Sequence, residues 1–288
     1  MISCFGCTPS FSMILSLVIN LYKKFSLIIF TDLDGSLLHR DTFKFDTIKD
    51  FISNLVDQGI IIIPNSSKTE KEIEKFNEEL GVKLPYISEN GSSIKGLNLI
   101  NANFPDKIVL SREKEELIKI FNDKVPEQLK DKCIQISKIS KKEQEKIFGQ
   151  KDDKLKDALN RKYTSPFLFN GDKNEQNKLS KILSSNSLTL QEGGRVINLC
   201  DNINKVKSMN KVIKILKKTE DMIKSIGVGD NYNDLDMLKN CDVPCLVFND
   251  KFKLDQINID NLIFSNLPSP EGWADVIKKA LVKIGNNV

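Results

Sequence analysis

Short apolar runs alternate with amphipathic patterns in the first third of the chain. The run Phe25–Phe30 is followed by a helical pattern that stops at Gly59, and Ile60–Ile63 is followed by a second helical pattern that stops at Gly81. Such apolar runs are typical of strands that are buried on both faces of a sheet. Strands separated by helices run parallel, because each helix carries the chain back across the sheet. The alternation therefore predicts a parallel sheet.

The same pattern returns near the end of the chain. We predict strands at Ser225–Val228, Val243–Phe248 and Leu262–Phe264, followed by a helix over Glu271–Ile284. A further short strand is expected at Tyr86–Ser88, after the second helix. These elements predict an α/β fold, with a Rossmann-like core in which a parallel sheet carries helices on both faces.

The stretch between these two parts differs in composition. Residues 108–195 are rich in lysine and glutamate, and their strands and helices are less clearly ordered. Charge runs such as Lys141–Asp157 are typical of solvated helix faces. We therefore predict an inserted α+β cap domain at 108–195, within a core domain formed by 25–107 and 196–288. Residues 1–24 precede this core as an N-terminal extension.

The extension carries no charged side chain over residues 1–22. Its apolar run, Met13–Tyr22, is shorter than the about 20 residues that a helix needs to span a bilayer. A signal peptide would need a basic region before the run, and none is present. We expect a plain extension, or an upstream start codon with Met13 as the true start, in preference to a membrane anchor. No stable membrane association is expected.

Composition narrows the classes of function. Lysine plus arginine exceeds aspartate plus glutamate by 43 to 39, and this net charge of +4 suits an anionic small molecule and falls short of a nucleic-acid-binding surface. His39 is the single histidine, which argues against zinc sites of several histidines and serine–histidine catalysis elsewhere in the chain. Six cysteines, of which Cys4 and Cys7 have redox-type spacing, predict reduced thiols and a cytoplasmic protein.

Polar clusters follow the predicted strands at the points where they end. Asp32 and Asp34 follow the first strand, Ser66 follows the second, and Asp230 and Asp234 follow a late strand. The carboxyl ends of parallel strands meet at one edge of the sheet, where open α/β folds bind their ligands. Each cluster alone has a plainer interpretation as a helix cap or a turn. Together they predict one site at this edge.

The residue types at these positions suit phosphoryl chemistry. Asp32 and Asp34 can share a cation, and one of them can attack phosphorus while the other handles the proton of the leaving group. Asp230 and Asp234 offer hard oxygen ligands that suit Mg²⁺. Lys205 opens a helix between these clusters, although taken alone it has the pattern of a surface lysine.

In this order, the acidic pair, the hydroxyl, the lysine and the second acidic pair resemble the four motifs of the haloacid dehalogenase superfamily. The matching positions are Asp32-Leu-Asp34-Gly35, Ser66, Lys205 and Gly229-Asp230 to Asp234. An insertion between the second and third motifs resembles the second class of cap domain in that superfamily. The resemblance therefore implies the same core-and-cap architecture that the composition predicts.

The resemblance also implies roles for these residues. It implies Mg²⁺ held by Asp32, the carbonyl of Asp34 and Asp230, with Asp234 supporting the metal site. The carboxylate of Asp32 is expected to become phosphorylated, while Asp34 transfers the protons. Phosphoryl oxygens are expected to be stabilised by a hydroxyl and an ammonium group. The catalytic residues implied in this way are Asp32, Asp34, Ser66 and Lys205.

Further stretches resemble the mannosyl-3-phosphoglycerate phosphatases and the related glucosyl-3-phosphoglycerate phosphatases. They are Asn65-Ser-Ser-Lys-Thr69, Glu89-Asn-Gly91, Arg161-Lys-Tyr-Thr-Ser-Pro-Phe167, Gly193-Gly-Arg195 and Pro270-Glu-Gly-Trp273. The resemblance implies a small-molecule partner, a phosphorylated glycosylglycerate, in the synthesis of a compatible solute. Substrate contacts are expected from Ser67, Lys68, Arg161 and Arg195, of which the three cations suit the second anionic group. The alternative is that these cations are structural contacts between core and cap.

Three positions depart from the pattern of these phosphatases. Ser165 stands where glutamate is usual, Asn198 where histidine is expected, and Val206 where glycine is usual. These departures bear on the contacts of the cap and on the preference for a sugar. A sucrose- or trehalose-phosphate phosphatase, a receiver-like signalling domain and a catalytically silent relative are the alternative interpretations. A monomer or a homodimer is expected.

Overall fold

A computed structural model describes residues 26–192, 195–220, 222–250 and 257–286 of the chain. The predicted N-terminal extension at 1–24 and the glycine pair Gly193–Gly194 lie outside these residues. No helix within the described ranges is long and apolar enough to cross a membrane.

The centre of the molecule is a five-stranded sheet in which every neighbouring pair is parallel. Its strands are β1 (Ser26–Thr31), β2 (Ile61–Pro64), β10 (Ile223–Gly229), β11 (Val243–Leu246) and β12 (Ile263–Phe264), in the spatial order β12-β11-β10-β1-β2. This arrangement confirms the predicted α/β fold with a parallel sheet.

Successive residues of β1 point to opposite faces of the sheet, as strand geometry requires. Leu27 and Ile29 belong to the apolar core on one face, which also includes residues of helices α1 (Lys49–Asp57), α2 (Glu70–Leu80) and α10 (Glu271–Asn286). Ile28 and Phe30 belong to the core on the other face, with residues of α8 (Lys205–Leu216) and α9 (Leu235–Lys239). Helices therefore cover both faces, and β1 is buried between them.

The strand predicted at Tyr86–Ser88 forms, as β3, but it does not join the five-stranded ladder. It pairs antiparallel with β4 (Ser93–Lys95), which in turn pairs antiparallel with β5 (Lys107–Val109). One parallel bridge, between Asn65 and Ile87, connects it to the end of β2. The strand therefore continues the parallel arrangement through this one bridge only, because a tight turn reverses the chain after three residues and pairs them with β4.

A second, four-stranded antiparallel sheet lies in the inserted part of the chain. Its strands are β6 (Cys133–Gln135), β7 (Ser165–Phe169), β8 (Leu188–Glu192) and β9 (Ile197–Asp201), in the order β6-β7-β9-β8. Its helices are α3 (Lys114–Lys124), α4 (Glu127–Lys130), α5 (Lys141–Phe148), α6 (Asp152–Leu159) and α7 (Lys173–Ser184). This combination agrees with the expected α+β cap. Its last strand begins at Ile197, two residues after the predicted end of the insertion, so the domain boundaries stay predictions.

The carboxylate of Glu70, in the first turn of α2, connects the two parts. It pairs with Lys107 Nζ at 2.6 Å and with Lys162 Nζ of the cap at 3.0 Å, and it accepts a hydrogen bond from Ser93 Oγ at 3.0 Å. Burial opposes the charge on Glu70, but these three donors outweigh it and lower its pKa from 4.5 to about 2. The charged form of Glu70 therefore stabilises the junction.

We predict that Glu70→Gln lowers the free energy of unfolding by about 1–2 kcal/mol at neutral pH, since it removes hydrogen bonds to a charged group whose lysine partners are partly exposed. Because the folded pKa of about 2 lies below the ordinary value of 4.5, this stabilisation is fully present above pH 4.5 and is lost as the pH falls towards 2. Urea titrations of both proteins between pH 3 and 7 measure it.

Glu78→Gln, at an exposed position of the same helix, is the matched control, and we expect it to leave the stability nearly unchanged. A difference between Glu70→Gln and the wild type that stays constant down to pH 3 would contradict the assignment to Glu70.

Candidate active site

Two glycines allow the acidic side chains to converge at the carboxyl edge of the central sheet. Gly35 has a φ of +86°, and a Cβ there would lie 2.6 Å from Asp230 Oδ2. A Cβ at Gly229, the last residue of β10, would lie 2.3 Å from the Cβ of Asp234. Any larger side chain at either position would push the carboxylates apart. The site therefore requires glycine at both positions for the carboxylates to approach each other.

Asp32 follows β1 directly, and its backbone N–H donates to the carbonyl of Val228 in β10 at 2.9 Å. Its Oδ1 lies 2.6 Å from Nζ of Lys205, the first residue of α8, and the same Nζ lies 2.7 Å from Oδ1 of Asp234. Burial opposes the charge on Lys205, but the carboxylates of Asp234 and Asp32 outweigh it and raise its pKa above the usual lysine range. Lys205 is therefore a charged bridge between two motifs and not a surface lysine.

Asp32, Asp230 and Asp234 form a buried acidic group, with one oxygen from each within 4.8 Å of the others. Burial raises the pKa of Asp230 and of Asp234, and the neighbouring carboxylates raise both further. Hard carboxylate oxygens gathered at this spacing suit a divalent cation such as Mg²⁺, which would also relieve their repulsion. The donor set therefore fits the metal that the sequence predicts.

The side chain of Asp34, the fourth predicted metal residue, lies apart from this acidic group. Its Oδ1 pairs with Lys68 Nζ at 2.9 Å, and Lys68 also pairs with Glu72 at 3.2 Å. Desolvation raises the pKa of Asp34, whereas Lys68 opposes this effect. For Lys68, desolvation lowers the pKa, but Asp34 and Glu72 outweigh it and raise the value above the usual range. The Asp34 side chain therefore faces Lys68 at the edge of the cavity and is not part of the acidic group.

A cavity of about 180 Å³ brings most of the predicted residues together. It is bounded by Asp32, Asp34 and Asp230 at the sheet edge, and by cationic side chains around them. The predicted substrate-binding residues in its lining are Ser67, Lys68, Arg161 and Arg195. Core and cap thus both contribute polar and charged side chains to one cavity.

The two arginines reach the cavity from the inserted part of the chain. Arg161 Nη1 donates to the carbonyl of Ser67 at 3.1 Å. Arg195 donates to the carbonyls of Phe148 and Arg40, the latter at 2.9 Å. Arg161 thus contacts the core at Ser67, and Arg195 contacts it at Arg40. These contacts agree with the alternative that the cations are structural links between core and cap.

Ser66 and Lys205 are buried beneath the cavity and do not line it. Ser66 follows β2, as predicted, and its backbone N–H donates to the carbonyl of Ile87 at 3.1 Å. Asp234 is likewise wholly buried, where its Oδ2 accepts from the backbone N–H of Asp230 at 3.2 Å. Of the two predicted catalytic residues that do not line the cavity, Lys205 contacts the acidic group, whereas the bonds of Ser66 join the end of β2 to the turn after β3.

Sequence reasoning missed several residues of the site. Arg40 pairs with Asp230 through Nη2, although it lies in a loop without a recognisable motif. The Phe43 ring lies between Lys68 Nζ at 4.8 Å and the Arg195 guanidinium at 5.2 Å.

Asn249 donates from Nδ2 to the Asp230 carboxylate at 3.1 Å. Asn249 follows the end of β11, so the search for polar residues after strand ends that identified Asp32 could also have identified Asn249. Among the three departures from the family pattern, Asn198 lies in the wall of the cavity, and its buried Oδ1 has no hydrogen-bond partner in the described structure.

Comparisons with known proteins agree with this geometry. A family model described as haloacid dehalogenase-like hydrolase matches residues 29–258. A Persephonella marina protein named glucosyl-3-phosphoglycerate/mannosyl-3-phosphoglycerate phosphatase is 28% identical, and the match covers 90% of this chain and 98% of the relative. A Methanococcoides burtonii protein of the same name is 30% identical, with the same coverage of both chains.

A solved structure from Thermoplasma acidophilum resembles this fold with a TM-score of 0.63 and 14% identity, over 90% of this chain and 99% of that one. The likeness supports the fold alone. The family match spans both halves of the core and the insertion between them, and the relatives' names agree with a phosphoric monoester hydrolase. The chain belongs to the haloacid dehalogenase-like hydrolase family.

Proposed function

We propose that this chain is a Mg²⁺-dependent phosphatase that converts mannosyl-3-phosphoglycerate to mannosylglycerate and phosphate, in the synthesis of a compatible solute. The observation that carries the proposal is a single cavity in which two acidic motifs face cations from both core and cap. Relatives named for mannosyl- and glucosyl-3-phosphoglycerate support this substrate class. The glucosyl compound is the alternative substrate.

The charge of the cavity supports a substrate with two anionic groups. Lys68 lies beside Asp34, near the reacting carboxylates, whereas Arg161 and Arg195 belong to the cap side. A phosphorylated glycosylglycerate carries a phosphate and a separate carboxylate, and planar guanidinium groups pair well with carboxylates. A sucrose phosphate would leave the second set of cations without an anionic partner.

The chain's own residues suffice to describe the bond changes. A carboxylate oxygen of Asp32 attacks phosphorus, the bond between phosphorus and the glycerate oxygen breaks, and Asp34 gives that oxygen its proton. Asp34 then takes a proton from water as the water oxygen attacks phosphorus, which releases phosphate and restores Asp32. Since Lys205 does not line the cavity, we propose that it acts by holding the carboxylates of Asp32 and Asp234 in place.

A divalent cation bound by Asp32, the Asp34 carbonyl and Asp230, with support from Asp234, would neutralise phosphate charge and orient it for in-line attack.

We also propose a cytoplasmic location. The four described cysteines, Cys133, Cys200, Cys241 and Cys245, are all unpaired, which supports a reducing compartment.

Phosphate release from both glycosyl phosphoglycerates, alongside a panel of simple sugar phosphates, tests the substrate. We expect release of phosphate from at least one glycosyl phosphoglycerate with Mg²⁺ present. This release should be lost when EDTA removes the divalent cation from the acidic group. Release of phosphate from the simple sugar phosphates alone would contradict the proposed substrate but agree with the proposed phosphatase chemistry. No release from any compound would favour the catalytically silent relative.

Asp32→Asn removes the proposed nucleophile and keeps the size of the side chain. We expect phosphate release to fall by at least about a thousand-fold, because only binding and electrostatic effects remain. Asp41→Asn is the matched control, since Asp41 lines the same cavity without a proposed role in the chemistry. Similar losses in the two variants would show that charge in the cavity, and not the nucleophile, limits the reaction.

A further inference from the structure

Glu89 follows β3 and is wholly buried, so its carboxylate needs hydrogen-bond donors. Its three donors all come from one short stretch of the cap. Oε1 accepts from the backbone N–H of Lys162 at 2.9 Å, and Oε2 accepts from the N–H of Tyr163 at 3.0 Å. Oε2 also accepts from the Thr164 hydroxyl at 2.7 Å. One core carboxylate thus holds three consecutive cap residues.

The Thr164 hydroxyl also links Glu89 to Arg161. Because the hydroxyl donates its hydrogen to Glu89, its lone pairs are free to accept, and Arg161 Nη1 lies 3.0 Å away. The same Nη1 donates to the carbonyl of Ser67 at 3.1 Å. The guanidinium is therefore oriented in the cavity wall from two sides, one of which depends on Glu89 through Thr164.

The backbone at Glu89 is strained in a way that fits a fixed role. Glu89, Asn90 and Gly91 have consecutive φ values of +46°, +61° and +101°, a region that residues other than glycine seldom adopt. The Glu89 N–H donates to the carbonyl of Lys68 at 2.8 Å, and the Asn90 N–H donates to that of Ser66 at 3.0 Å. Strained backbone persists only where the surrounding structure holds it, and it clusters at functional sites.

We propose that Glu89 is a positioning residue that fastens the cap segment Arg161–Thr164 to the core and so holds the Arg161 guanidinium in the cavity. The same turn carries Gly91, where a Cβ would lie 2.4 Å from the carbonyl oxygen of Asn204, the residue before Lys205. The turn thus contacts the cap segment, the loop of Ser66 and the start of α8. Only the kinetic consequence of this proposal depends on the proposed function.

Hydrogen exchange in Glu89→Gln tests the fastening without any substrate. An amide side chain has one acceptor oxygen and one NH₂ group, so it cannot accept from all three donors. We expect the Lys162 and Tyr163 amides to exchange at least about ten-fold faster than in the wild type. Amides of α10, which lies in the core, should be unchanged, and they report whether the variant is folded.

Thr164→Val tests the link to Arg161 while keeping both backbone hydrogen bonds to Glu89. We expect KM for the glycosyl phosphoglycerate to rise about ten-fold with little change in kcat, because the guanidinium loses one of its two anchors. Thr164→Ser keeps the hydroxyl and is the matched control, which should retain the wild-type KM. A purely structural role for Thr164 would change stability without this split between KM and kcat.

Unchanged exchange at Lys162 and Tyr163 in Glu89→Gln would overturn the fastening. Equal KM values for Thr164→Val and Thr164→Ser would overturn the link to Arg161. If the wild type hydrolyses neither glycosyl phosphoglycerate, the proposed substrate fails, and the exchange measurement still decides whether Glu89 holds the cap segment.

Discussion

Three carboxylates are buried together where the central sheet ends, and the rest of the site depends on how their charge is compensated. Asp32, Asp230 and Asp234 lie within 4.8 Å of one another, an arrangement that is costly unless the charges are paired. Lys205 bridges Asp32 and Asp234, and Arg40 pairs with Asp230. In the proposed function, a divalent cation would add the positive charge that this group needs to accept a phosphate.

In the proposed function, the core carries the reaction and the cap contributes to substrate recognition. The acidic group lies at the ends of β1 and β10, which are buried between two layers of helices and therefore hold it rigidly. The arginines of the cavity belong to the cap, and Arg161 reaches the core through Ser67 and, indirectly, through Glu89. Substrate specificity in this account thus depends on the contacts that hold the cap segment.

The sequence predicts the features that local patterns determine. Apolar runs followed by polar residues locate Asp32 and Asp230, because strand direction and strand end are both visible in the chain. Arg40 was missed because its pairing with Asp230 spans 190 residues and no period or motif marks its loop. Asn90-Gly91 is a typical turn sequence, but the antiparallel pairing of Tyr86–Ser88 was missed because β4 and β5 have only three residues each and are too short to show an alternating pattern.

Calorimetric titration of Mg²⁺ into EDTA-treated protein, without substrate, tests the central claim that the acidic group holds a divalent cation. We expect one binding site per chain in the wild type and in Asp236→Asn, where an exposed carboxylate of α9 is neutralised. Asp230→Asn should weaken binding at least about ten-fold, because it removes a charged oxygen ligand. Unaltered Mg²⁺ affinity in Asp230→Asn, or no binding to the wild type, would contradict the account.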